Sequence, residues 1–213
     1  MFSGIIRGVA RWVPLASFKG SADYWRKRYQ LGGDSGTGSA GAAATYKAAV
    51  LNEFVARESV TSVVEFGCGD GRQLALARYP AYLGLDISAD AVEQCRARFK
   101  DDASKRFAIL DDSATKADLA LSLDVIFHLV EDEVYEAHLR RLFDAANRFV
   151  IIYSSNSAGN ARTFRHVRHR VVSTDVTALF PGFERLQELE SALPPPVETS
   201  SGVSTVFLIY RRL

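Results

Sequence analysis

One stretch of the chain, VVEFGCGDG at residues 63–71, constrains the fold more than any other. Its apolar run at residues 63–66 leads directly into Gly67, Gly69 and Gly71. A short apolar run that ends in a Gly-rich turn is typical of a strand buried in a parallel sheet, and ligands of such sheets bind beyond the carboxyl ends of the strands. The stretch therefore predicts a strand followed by a ligand-binding loop.

Strand-like and helix-like patterns alternate along the rest of the chain. Apolar runs typical of buried strands occupy residues 60–66, 81–86, 106–111, 117–127 and 148–154. Stripes at helical spacing lie between them, as from Tyr46 to Val55, and Ser88 is a typical cap for the helix after the second strand. The strand-like residues 183–191 and 203–213 are separated by a proline-rich turn, which predicts an antiparallel pair.

These patterns predict an α/β fold. We expect a single Rossmann-like domain with a seven-stranded, mostly parallel sheet, an antiparallel strand at the carboxyl-terminal edge and helices on both faces. The length of 213 residues agrees with one domain. Residues 1–45 are expected to form an amino-terminal helical segment with a Gly-rich lid, and residues 46–213 to form the main domain.

The amino-terminal segment contains two parts that each allow two interpretations. Residues 1–15 predict a short amphipathic helix, which either docks on the domain or makes a peripheral contact with a membrane surface. Their apolar run is interrupted by Arg7 and Arg11 and is too short to cross a bilayer. Residues 31–44, LGGDSGTGSAGAAA, are either a flexible linker or a mobile lid over a ligand.

The composition argues against several classes of protein. The net charge of +1 lacks the basic excess of a nucleic-acid-binding protein, so we expect no nucleic-acid partner. The two cysteines, Cys68 and Cys95, make no disulfide framework and lack the neighbours of a zinc site. We therefore predict a cytoplasmic protein with no metal site.

The spacing of the glycines distinguishes between nucleotide-binding patterns. A dinucleotide fingerprint, G-x-G-x-x-G, needs a glycine where this chain has Arg72, and a P-loop needs a Gly-Lys-Ser/Thr that does not follow. The pattern E-x-G-x-G-x-G of residues 65–71 instead resembles the first motif of class I S-adenosylmethionine-dependent methyltransferases. The stretches YWRKRYQLGG, DLALSLDVIFHLVEDE and HVRHR resemble small bacterial stand-alone members, so the resemblance covers about residues 23–170.

The resemblance implies S-adenosylmethionine as cofactor and S-adenosylhomocysteine as product. Glu65 then helps to position the methionine end of the cofactor. Asp86 ends the second strand and can accept hydrogen bonds from both ribose hydroxyls, with Ile87 beside the adenine, although Asp86 is also a candidate helix cap. Asp111 or Asp112 would contact the adenine amino group. The complete predicted cofactor-binding set is Glu65, Phe66, Gly67, Cys68, Gly69, Gly71, Asp86, Ile87, Asp111, Asp112, Leu123 and Asp124.

Three histidines are candidates for the base that accepts a proton from a hydroxyl acceptor. His128 follows the fourth strand, and imidazole has a suitable pKa for this task, but a structural role is equally open. His166 and His169 lie in the basic segment NSAGNARTFRHVRHR after the fifth strand. That segment either binds a phosphate or carboxylate of the acceptor or is a solvated or partner-facing loop.

The leading hypothesis is a methyltransferase that acts on a small acceptor, with anionic and sugar-containing molecules as the main options. Oxygen is preferred over nitrogen as the target atom. Two alternatives remain open: a non-catalytic subunit that binds S-adenosylmethionine, and another group transferase on the same scaffold.

Overall fold

The protein is described by a computed structural model over residues 18–159, 164–191 and 203–213. The predictions for the amphipathic segment 1–15, for Arg162 and for the proline-rich turn 192–202 lie outside the described residues.

The strands form one sheet at the centre of the described chain. Their bounds are β1 Val63–Phe66, β2 Tyr82–Asp86, β3 Lys105–Ile109, β4 Ala117–Leu123, β5 Ala146–Ser155, β6 Phe183–Glu190 and β7 Thr205–Arg212. Their order is β3-β2-β1-β4-β5-β7-β6. The first five strands are parallel, whereas β7 is antiparallel to both of its neighbours. The predicted fold class is confirmed, with the final strand inserted beside β5 and β6 outermost.

Two of the described helices precede β1, and three connect β2 to β3, β4 to β5 and β5 to β6. Their bounds are α1 Ser21–Gln30, α2 Gly41–Arg57, α3 Ala89–Arg98, α4 Asp132–Ala145 and α5 Val172–Leu179, with 3₁₀ turns at Thr37–Ser39, Leu74–Leu76 and Ile126–His128. Ser88 caps α3, because its side chain accepts a hydrogen bond from the amide of Ala91 at 3.3 Å. None of the helices in the described ranges has the length and apolar character needed to cross a membrane.

Residues 74–79 have an apolar pattern that favours a short helix, but the structure forms only a single 3₁₀ turn there. Two constraints explain the difference. The amide of Arg78 donates to Asn52 Oδ1 on α2 at 2.7 Å, which draws the chain away from a helical path. Pro80 disfavours a helical conformation at Tyr79.

The core has two layers, one on each face of the sheet. Side chains alternate along the strands, so Val63 packs with α2 and α3 while its neighbour Val64 packs with α4 and α5. The central strand β4 contributes to both layers, because Leu119 and Leu121 face one side of the sheet and Ala120 faces the other. Packing on both faces of the sheet fixes the positions of the carboxyl ends of the parallel strands relative to one another.

Leu121 provides a test of this core, because its side chain in β4 is fully buried (0% exposed). Leu121→Ala is expected to lower the free energy of unfolding by about 2–5 kcal/mol, since it leaves a cavity. The matched control is Leu76→Ala at a position that is 43% exposed, where a change within about 0.5 kcal/mol is expected. Urea denaturation measures both, and equal losses would contradict the described packing.

Candidate active site

The glycine loop follows β1 and turns back against the end of β2. The amides of Gly67 and Cys68 both donate to the carbonyl of Leu85, at 2.7 and 3.1 Å. Gly69 has φ +56°, and a Cβ at this position would clash with the hydroxyls of Ser35 and Tyr29. A side chain at position 69 is therefore excluded by both backbone conformation and space.

Asp86 is fixed at the end of β2 by backbone amides. Its Oδ2 accepts from Gly69 N at 3.0 Å and its Oδ1 from Ser88 N at 2.9 Å. Burial raises the pKa of this carboxyl, and the amide hydrogen bonds oppose the rise. Because Ser88 caps α3, the helix-cap alternative does not explain Asp86. Each carboxylate oxygen keeps a lone pair for a further donor.

A cavity lies over the carboxyl ends of the strands and collects most of the predicted residues. Those that line it are Glu65, Gly67, Cys68, Gly69, Asp86, Ile87, Leu123, Asp124 and His128. Residues that the sequence analysis did not assign also line it, among them Trp25, Tyr29, Ser35, Lys47, Gln73 and Leu110.

Four of the predicted cofactor-binding residues do not line this cavity. Phe66 belongs to the core layer beneath the sheet, and Gly71 packs against Phe99 and Cys95. Asp111 is exposed and accepts the amide of Ser113 at 2.8 Å, whereas Asp112 pairs with Arg141 at 2.5 Å.

Leu110 occupies the wall of the cavity at the end of β3. Its amide donates to the carbonyl of Asp86 at 2.8 Å, which continues the pairing of β3 with β2 by one residue. The adenine role of Asp111 or Asp112 has no support in this geometry and stays a prediction from the sequence.

Lys47 is the main polar residue that sequence reasoning missed. It is 1% exposed on α2, and its Nζ pairs with Asp124. The signal was its position, since Lys47 lies four residues before Leu51 and seven before Phe54, on the buried face of the helix. A lysine on such a face needs a buried partner, and Asp124 at the end of β4 is that partner.

Glu65 lies in the same wall and is also buried. Its Oε2 accepts the hydroxyl of Tyr82 at 2.6 Å. Burial raises the pKa of Glu65 to about 7, although the Tyr82 hydroxyl and the charge of Lys47 both act in the opposite direction. Its charge therefore changes near neutral pH in the described state.

His128 is held in one tautomer by the backbone. Its Nδ1 donates to the carbonyl of His166 at 3.0 Å, which leaves the lone pair on Nε2. The ring of Trp25 packs edge-on against it, with 4.8 Å between ring centroids. Burial lowers the pKa of His128 to about 3, so the imidazole is neutral at physiological pH.

The other two candidate histidines do not line the cavity. His166 stacks on Tyr24 with 4.4 Å between centroids, and His169 Nδ1 lies 2.7 Å from the hydroxyl of Ser155. The nearby guanidinium groups are engaged within the protein. Arg168 and Arg170 both hydrogen bond to the carbonyl of Val130 and pair with Asp132.

The loop that precedes α2 is docked on the glycine loop. Ser35 N donates to Asp70 Oδ2 at 3.2 Å, and Asp70 N donates to Ser35 Oγ at 3.0 Å. Asp34 pairs with Arg72 at 2.8 Å on the same side. Together with Trp25 and Tyr29 from α1, this loop forms a wall of the cavity.

The comparisons with known proteins agree with this arrangement. A model of the methyltransferase domain family matches residues 40–192. Similar folds include magnesium protoporphyrin IX methyltransferase (ChlM) from Synechocystis PCC 6803 with bound SAH, at 17% identity and TM-score 0.62 over 79% of this chain and 83% of that chain. N-methyltransferase NodS from Bradyrhizobium japonicum WM9 with S-adenosylhomocysteine matches at 16% identity and TM-score 0.63, over 79% and 85%.

A third similar structure is the [4+2]-cyclase SpnF, at 14% identity and TM-score 0.63 over 80% of this chain and 81% of that chain. At these identities the similarity shows a shared fold. No curated protein matches this sequence.

Because the family model covers most of the chain, the protein belongs to the methyltransferase domain family. This confirms the predicted class I methyltransferase family, and the two similar methyltransferase structures named above hold the demethylated cofactor, S-adenosylhomocysteine.

The buried His128 makes stability depend on pH. Because its pKa is near 3 when folded and about 6.5 when unfolded, the unfolded state binds more protons between these values. This contribution is complete above about pH 6.5 and is lost as the pH falls toward 3. His128→Gln should therefore lose less stability than the wild type between pH 7 and pH 5 in urea denaturation. An identical pH dependence of the two proteins would contradict the buried, neutral state of His128.

Proposed function

We propose that the protein transfers a methyl group from S-adenosylmethionine to an oxygen atom of a small acceptor. The observation that carries this proposal is the convergence of the glycine loop, the buried Asp86 carboxylate and the neutral His128 on one cavity. The cofactor supplies a methyl group on a positively charged sulfonium, and the protein must hold the acceptor in line with it.

The residues present fit this cofactor. Gly69 keeps the floor of the cavity free of a side chain, and Asp86 offers two carboxylate oxygens for the ribose hydroxyls. Ile87 and Leu110 line the cavity beyond Asp86 with apolar surface suited to adenine. The wall carries the carboxyl groups of Glu65, Asp86 and Asp124 and the cationic groups of Lys47 and Arg141, so a ligand with both a positive and a negative group finds opposite charges there.

His128 is the proposed proton acceptor for an acceptor hydroxyl. It lines the cavity, and its backbone hydrogen bond leaves the Nε2 lone pair available. The low pKa makes the imidazole a weaker base than free histidine, but it keeps the lone pair across the neutral range. His166 and His169 lie outside the cavity lining, and the carbonyl of His166 holds His128 in position by accepting the hydrogen bond from its Nδ1.

The acceptor is proposed to be small, with an apolar or aromatic part. Trp25, Leu129 and Ala22 line the cavity near His128. Anionic recognition by the segment after β5 has less support, because Arg168 and Arg170 are already engaged with Asp132. Anionic and sugar-containing acceptors remain candidates, and a screen of metabolites for S-adenosylhomocysteine release tests them together with apolar ones.

Residues 41–44 of the predicted lid segment 31–44 belong to α2. The remaining residues, 31–40, are proposed to act as the lid. Its contacts through Ser35 close the cavity over the glycine loop and would exclude water during the reaction. Passage of the cofactor then requires the pair of hydrogen bonds between Ser35 and Asp70 to open.

The ribose assignment predicts the effect of Asp86→Ala. Loss of the carboxylate should weaken the binding of S-adenosylhomocysteine by about 1–3 kcal/mol, since buried hydrogen bonds are lost. The control Asp90→Ala removes an exposed carboxylate from α3 and should bind normally. Calorimetry measures both variants, and equal affinity of Asp86→Ala and the wild type would show that the ribose lies elsewhere.

The catalytic assignment predicts the effect of His128→Ala. Turnover of an acceptor found by screening metabolites for S-adenosylhomocysteine release should fall by roughly 10²- to 10⁴-fold, while cofactor affinity changes little. His169→Ala is the matched control and should retain most activity. Full activity of His128→Ala together with a loss in His169→Ala would overturn the assignment. Cofactor binding with no turnover of any acceptor would favour the non-catalytic alternative.

A further inference from the structure

Two acceptor atoms in the cavity wall lack hydrogen-bond partners among the described residues. They are Oδ1 of Asp124 and Oε1 of Gln73, both buried. The other polar atom of each side chain is already used, since Asp124 Oδ2 pairs with Lys47 and Gln73 Nε2 donates to the carbonyl of Ala44 at 3.1 Å. Buried acceptors without partners are costly, so their presence at a ligand cavity indicates a donor on the ligand.

Lys47 has the opposite property, since it keeps hydrogen-bond donors that the described residues do not use. An ammonium carries three donors, and in the described part of the chain Lys47 Nζ makes a hydrogen bond only to Asp124. Its other close neighbour is the ring of Tyr153, whose centroid lies 5.3 Å from Nζ. Lys47 can therefore bind an anionic group of a ligand that enters the cavity.

The backbone of Asp124 adopts an uncommon, left-handed conformation at the end of β4. Asp124 has φ +57°, which is uncommon for a residue other than glycine. Its amide donates to the carbonyl of Tyr153 at 2.9 Å, which anchors this conformation at the end of β4. Strained residues of this kind are concentrated at ligand sites.

Lys47 and Asp124 together present a cation and an anion in direct contact with each other. A ligand that carries both an anion and a cation on one carbon, as the α-amino acid end of S-adenosylmethionine does, can match both. We propose that Lys47 binds the α-carboxylate of the cofactor, and that Asp124 Oδ1 and Gln73 Oε1 bind its α-ammonium. This assignment rests on the proposed function.

When the ligand binds, each buried charge keeps an opposite charge beside it, so neither Lys47 nor Asp124 is left uncompensated. Glu65 is less suited to the ammonium, because burial raises its pKa to about 7 and its carboxyl is therefore partly protonated at neutral pH, whereas Oδ1 of Asp124 is buried without a partner among the described residues. The primary contact with the ammonium is thus moved from Glu65 to Asp124.

Four neutral-sulfur ligands separate the two charges in a calorimetric test. The first is S-adenosylhomocysteine, which carries both charges, and the last is 5′-methylthioadenosine, which carries neither. Between them are the carboxylate-free analogue 5′-S-(3-aminopropyl)-5′-thioadenosine and the ammonium-free analogue 5′-S-(3-carboxypropyl)-5′-thioadenosine. The wild type should prefer S-adenosylhomocysteine over each single-charge analogue by about tenfold or more, as expected for charge-assisted hydrogen bonds.

The two variants should show a crossed pattern. Lys47→Met should bind S-adenosylhomocysteine and the carboxylate-free analogue equally, and should keep its preference over the ammonium-free analogue. Asp124→Asn should lose most of its preference over the ammonium-free analogue, because only neutral amide oxygens remain as acceptors, and should keep its preference over the carboxylate-free analogue. Both should bind 5′-methylthioadenosine as the wild type does, and Lys100→Met, at an exposed position, should match the wild type with all four ligands.

The outcomes distinguish this proposal from the proposed function. If the wild type binds none of the four ligands, the proposed function fails. If the wild type binds S-adenosylhomocysteine and Lys47→Met still discriminates against the carboxylate-free analogue, only the present assignment is overturned. If a single variant does not fold, the uncharged double variant Lys47→Met/Asp124→Leu takes its place. That variant should bind S-adenosylhomocysteine and the carboxylate-free analogue alike, and a retained preference for S-adenosylhomocysteine over that analogue would overturn the assignment.

Discussion

The hydrogen bond from Gly69 N to Asp86 Oδ2 joins the two strand ends on which the cavity depends. It fixes the turn after β1 against the end of β2, so the glycine loop and the carboxylate keep one relative position. The same carboxylate also holds the amide of Ser88 before α3. A single side chain thus sets the loop, the start of the helix and the polar edge of the proposed ribose site.

The remaining walls of the cavity are added by segments far away in the sequence. Ser35 reaches the glycine loop from before α2, Lys47 reaches Asp124 from within α2, and Trp25 covers His128 from α1. The amino-terminal part of the described chain therefore belongs to the site. Opening these contacts would expose the glycine loop, which connects movement of the proposed lid with entry and release of the cofactor.

The sheet and the central motif could be predicted because their signals are local. Apolar runs, the spacing of the glycines and Asp86 at the end of a strand each depend on a few adjacent residues. The contacts of Lys47 and Ser35 join positions 77 and 35 residues apart, and no local pattern specifies them. For Asp111 a local pattern was present but misleading. A carboxylate at the end of the third strand matched the family's motif, but in the structure Leu110 lines the cavity and Asp111 does not. Successive side chains of a strand point to opposite faces, so an error of one residue in the predicted strand end changes which residue faces the site.

The central claim is that this cavity holds S-adenosylmethionine through the glycine loop and Asp86. A crystal structure of the protein with S-adenosylhomocysteine tests it most directly. The account predicts ribose hydroxyls within hydrogen-bond distance of Asp86, and an amino acid end whose carboxylate contacts Lys47 and whose ammonium contacts Asp124. Ligand density at another part of the surface, or in this cavity with the adenosine and amino acid ends exchanged, would contradict the account.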